Sequence, residues 1–128
     1  MKNKTIKGFF IGVEGVAELR EIEDELSAYY SLLGCSYIEA PQRLVGGVPV
    51  LIICDEEARL KDPLPEETAI GTNCFGGHVC ESILGNCFLC ASDGENFASL
   101  DETQIKAIKA NLIEDSDTGR KILLYHVK

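Results

Sequence analysis

The sequence predicts a single α+β domain over residues 1–128, built on a mixed or antiparallel sheet of about six strands with two helices. Three observations carry this expectation. Runs of β-branched and aromatic residues recur with turn-forming pairs between them, two stretches switch to helical spacing, and 128 residues is one domain's worth of chain. Apolar residues make up 45%, which is enough for a core without disulfide staples.

Ile6–Val13 opens as a strand, and Glu14-Gly15 turns it into the alternating segment Val16–Ile22 as a hairpin. From Asp24 the period changes: Ile22, Leu26, Tyr29 or Tyr30 and Leu33 fall at helical spacing, Glu23, Asp24 and Glu25 complement the dipole at the start, and Gly34 stops the helix. Tyr37–Val45 reads as a strand that Pro41 confines to an edge or a bulge. Gly46-Gly47 is a hairpin turn into Val48–Cys54, whose nearly continuous apolar run suits a strand covered on both faces. Lys61–Gly77, with Pro63, Pro65 and three glycines, reads mostly as loop. Ile83–Ala91 is a second central strand with Gly85 as a bulge or close-approach point, and Ser92-Asp93-Gly94 is a turn. Ser99 and Glu102 fit a capping box, behind which Ile105, Ile108 and Leu112 form one helical face. Lys121–Val127 closes the chain as a strand.

Charge narrows the function. Twelve Lys and Arg against 21 Asp and Glu give −9, a surface that repels the nucleic-acid backbone and anionic membranes. The longest apolar stretch, Val48–Cys54, falls far short of the ~20 residues of a membrane span. Lys2, Lys4 and Lys7 precede an apolar run that Glu14 ends before a signal-peptide core forms, so the expected location is cytoplasmic, with reduced thiols.

The segments Tyr37-Ile38-Glu39, Leu51-Ile52-Ile53-Cys54-Asp55-Glu56-Glu57-Ala58-Arg59-Leu60, Ile83-Leu84-Gly85-Asn86 and Ser99-Leu100-Asp101-Glu102-Thr103-Gln104-Ile105 come in an order that resembles a family of small phage and mobile-element proteins, domain of unknown function 3846. The likeness runs over Gly8–Leu112, and Gly71–Glu81 departs from the pattern in being longer and richer in Cys and His. More loosely, the outline is similar to the first family of Thoeris anti-defence proteins. That resemblance implies an oligomeric, non-enzymatic sponge in a bacterial host cell, which sequesters a cyclic ADP-ribose isomer or related nucleotide signal.

The chemical motifs are few. Cys74, His78, Cys80, Cys87 and Cys90 crowd one region, but Cys87 and Cys90 lie three apart in a strand and so face opposite ways; they cannot chelate together, and no metal or cofactor is expected. Only His78 and His126 are available as bases, and no hydrolase motif occurs, so no enzyme is expected. Asp55-Glu56-Glu57 is either a carboxylate cluster or a solvated turn. An acidic binder of an anion must place its few arginines at the ligand. Arg59 and Arg120 sit at element ends, Phe75 in a glycine-bracketed loop, and Asn86 beside Gly85. The expected site joins these four, with phosphates on the arginines, a base on Phe75 and a ribose or base edge on Asn86. Three of them have a structural alternative: weak surface ion pairs for the arginines, a loop plug for Phe75. A homo-oligomer is expected from an edge strand with one Pro and from the Tyr29-Tyr30 pair. The other functional class is an acidic protein-interaction module or inhibitor that mimics nucleic-acid charge.

Overall fold

The computed structural model describes residues 4–72 and 78–127. Strands β1 (Thr5–Ile11) and β2 (Ala17–Glu23) form the opening hairpin, followed by helix α1 (Leu26–Leu33). Two short strands, β3 (Ile38–Glu39) and β4 (Gln42–Val45), flank Ala40-Pro41, and both pair with β5 (Val48–Asp55). A 3-10 turn, Ala58–Leu60, leads to β6 (Glu67–Thr72), and β7 (Val79–Leu84), β8 (Cys87–Asp93) and β9 (Asn96–Ala98) come next. Helix α2 (Glu102–Ala110) precedes β10 (Leu112–Glu114) and β11 (Lys121–His126).

The described residues are therefore mostly β, with eleven strands in one mixed sheet, and the six-strand α+β expectation is corrected. The order is β2-β1-β8-β5-β4-β11-β6-β7, with β10 beside β11, β3 beside β5 and β9 beside β8. Part of the expected loop Lys61–Gly77 is β6, which lies parallel to β11. The expected strand Ile83–Ala91 is two strands. Gly85 adopts φ 85°, a left-handed conformation that ends β7 and sends the chain to β8, which sits between β1 and β5.

The second helix begins two residues later than its Ser99 signal. Lys7 donates its backbone N–H to Ser99 Oγ at 2.9 Å, and the Leu100 N–H bonds to Lys7 O at 2.9 Å, so both residues are pinned to β1. Asp101 caps instead, accepting from the Gln104 N–H at 2.8 Å while Gln104 Oε1 accepts from the Asp101 N–H.

Alternation along β5 divides the interior. Val50, Ile52 and Cys54 join Phe9, Leu89 and Leu123 in a core that takes Ile108 from α2, whereas Ile53 packs with Ile6, Phe88 and Cys90 against Tyr29 and Leu33 of α1. Each large apolar side chain so buried contributes about 1.5–3 kcal/mol. Cys87 and Cys90 fall in opposite cores. Tyr29 is buried at 1% exposure, with its hydroxyl donating to Asp24 Oδ1 at 2.7 Å, so the Tyr29-Tyr30 pair is not an exposed surface. No helix among the described residues is long and apolar enough to cross a membrane.

Candidate functional site

Although β7 ends the strand order, its Ile83 shares a core with Ile52 and Cys54 of β5. The sheet curls until β7 stands opposite the end of β5, and a cleft of about 290 Å³ occupies the seam. Its walls are Glu39 of β3, Cys54 and Asp55 of β5, and Ser82–Leu84 of β7; Glu56 and the 3-10 turn residues Ala58, Arg59 and Leu60 complete it. This is at the lower end of ordinary ligand pockets, about 300–1,000 Å³.

The turn that crosses the seam is held at three points. Asp55, only 7% exposed, accepts the Glu57 N–H on Oδ1 at 2.9 Å. Its Oδ2 makes no well-aligned hydrogen bond but lies 2.7 Å from the Lys61 ammonium, and that ammonium also donates to Gly34 O at the end of α1. The Asp55 carboxylate beside it pushes the Lys61 ammonium above its ordinary value. Across the gap, Arg59 Nη2 donates to Ser82 O at 2.7 Å and Ser82 Oγ at 3.3 Å.

Further along β7, the Glu81 carboxylate accepts from Arg43 Nε at 2.6 Å, Arg43 Nη2 at 3.3 Å and the Tyr125 hydroxyl at 2.9 Å. Gly71 makes this possible. It lies between Tyr125 and Glu81 in register, and a Cβ there would stand 2.6 Å from the Tyr125 ring. The Arg43 fork, helped by the Tyr125 hydroxyl, holds Glu81 below the usual carboxylate range, and Arg59 acts in the same direction at longer range. Burial, then the bond to Glu81, pushes the Tyr125 hydroxyl up. Burial, then the Glu39 charge, does the same to the Cys54 thiol, which lies 3.8 Å from Glu39 Oε1.

Of the four expected site residues, Arg59 stands on this cleft. Asn86 does not: its Oδ1 accepts the Val13 N–H at 2.9 Å, and it lines a separate hollow with Phe10, Gly12 and Arg20. Arg120 lines neither. Its side chain, 15% exposed, donates to Glu67 O at 2.9 Å and pairs with Glu66 at 3.3 Å, a structural tie at the start of β6. Phe75 lies outside the described residues. Arg43, Glu81 and Tyr125 were not expected at a site. Glu81 was findable, since it stands two residues before Ile83 in strand alternation and so points to the same face; the partners supplied by distant strands left no local trace.

A curled mixed sheet with a cleft of mixed apolar and charged lining at its seam defines the structural class. A family model described as Domain of unknown function (DUF3846) matches residues 6–113, and the chain belongs to that family. No curated protein and no solved structure matches the chain.

Proposed function

We propose that this chain is a non-enzymatic binding protein that captures an anionic, nucleotide-type ligand at the seam, with Arg59 as the anchor for a phosphate. One observation carries the reading. Arg20, Arg43 and Arg120 each have a carboxylate within ion-pair distance, whereas Arg59 has none among the described residues: its hydrogen bonds go to Ser82, and Glu81 acts on it only at longer range. In a chain of net charge −9, a guanidinium on a cleft wall without a carboxylate partner suits a ligand's anion. The cleft's thiol, Cys54, is buried, and burial pushes it up, so the reading assigns it no nucleophilic role. Sequestration of a cyclic ADP-ribose isomer or related cyclic nucleotide is the role that the likeness to Thoeris anti-defence proteins implies.

Calorimetric titration of the full chain with cyclic ADP-ribose isomers and with cyclic di- and trinucleotides tests this. Binding is expected for at least one of them, and Arg59→Ala should weaken it by about 1.5–3 kcal/mol, roughly ten- to a hundredfold. Absence of heat with every nucleotide, or full retention of affinity by Arg59→Ala, would overturn the reading.

A second reading is an acidic protein-interaction module, favoured by Leu60 at 81% and Tyr37 at 56% exposure beside Glu56 and Glu57. Apolar side chains rimmed by charge are a common mark of a protein-binding surface. Absence of nucleotide binding would promote it.

A further inference from the structure

The cleft does not end at Leu60. Leu60 and Glu56 also line a second hollow, of about 450 Å³, together with Tyr37 and Glu57, so the two spaces adjoin along the 3-10 turn. The Glu56 N–H bonds to Tyr37 O at 3.1 Å, which holds the main chain of Tyr37 beside that of the carboxylate pair. Resting on the assignment of Arg59 as the phosphate anchor, we infer that this second hollow is the nucleobase half of the same site and that it selects guanine. Tyr37 supplies the stacking face first expected of Phe75, with Leu60 as the apolar wall shared by both halves.

The selection follows from hydrogen-bond chemistry. An ionised Glu only accepts, with two oxygens side by side. Guanine offers N1–H and N2–H₂ as adjacent donors, which one carboxylate receives together. Adenine offers N6–H₂ beside the N1 lone pair, which a carboxylate repels. Glu56 and Glu57 are both exposed at the rim, so either can turn to the base edge. The inference places guanine-bearing nucleotide signals ahead of the adenine-only cyclic ADP-ribose isomers as the ligand class.

The test is titration of the full chain with GMP, AMP and ribose 5-phosphate, by calorimetry at fixed ionic strength, on protein whose folding is checked by circular dichroism. GMP should bind at least tenfold more tightly than AMP or ribose 5-phosphate. Tyr37→Ala should lower GMP affinity by about fivefold or more, the loss of one base stack. Glu56→Gln combined with Glu57→Gln should erase the preference for GMP while leaving ribose 5-phosphate binding in place. Equal binding of GMP and AMP that depends on Arg59 but not on Tyr37 would overturn this inference and leave the phosphate anchor standing. No binding of any of the three, nor of the cyclic nucleotides, would overturn both.

Discussion

At the scale of the residue, Glu81 is the most heavily engaged carboxylate in the seam, and its titration is linked to folding. Arg43 first, then Tyr125, hold it below its ordinary value of 4.5, so the folded state binds its proton less readily than the unfolded chain. The stabilisation is complete at neutral pH and is lost as pH falls below about 4.5 through the lower folded value. Glu81→Gln should therefore be less stable than the parent at pH 7, and urea unfolding at successive pH values should show the gap closing in acid. A gap that stays constant down to about pH 3 would contradict the linkage. The thiols make a second residue-scale case. Burial raises Cys87 and Cys90 to about 12 and pushes Cys54 up as well, whereas Cys80 is exposed. Brief alkylation of the native protein should label Cys80 and spare Cys54, Cys87 and Cys90 until denaturant is added; labelling of the three buried thiols in the native state would count against these cores.

At the scale of the element, two turns decide the course of the chain. Gly85 separates β7 from β8 at φ 85°, and Gly85→Ala should cost about 1–2 kcal/mol in denaturant unfolding because a Cβ is strained there. Asp101→Ala should cost about 0.5–2 kcal/mol through loss of the α2 cap, whereas Ser99→Ala should leave that cap intact. Local signals of this kind were legible: the opening hairpin, α1 ending at Gly34, the Gly46-Gly47 turn, the doubly covered β5 and the last strand β11 all follow from adjacent residues. Strand β6 was not legible. It lies between β7, the next strand in the chain, and β11, which begins about fifty residues later and pairs in parallel. The prolines and glycines around it read as loop rather than as one arm of a hairpin. The apolar residues from Ile83 to Ala91 concealed the break at Gly85, since periodicity alone cannot separate one long buried strand from two. The site shared this fate. Arg59 stood out by the scarcity of arginine, but the seam that gives it neighbours exists only once β7 returns to the end of β5.

At the scale of the whole molecule, the net charge of −9 opposes the approach of any phosphate ligand to the proposed anchor at Arg59. Raising salt from about 20 to 200 mM should therefore speed association, the reverse of the behaviour of a basic nucleotide binder, and a rate that falls steeply with salt would contradict this balance. The central claim is the place of binding, and amide chemical-shift mapping of the isotope-labelled chain during titration with a cyclic dinucleotide tests it most directly. The account predicts saturable shifts concentrated at Cys54–Leu60 and Ser82–Leu84, with Tyr37 moving when the base is guanine. Shifts confined to Gly12, Val13 and Asn86, or an unchanged spectrum at saturating ligand, would contradict it.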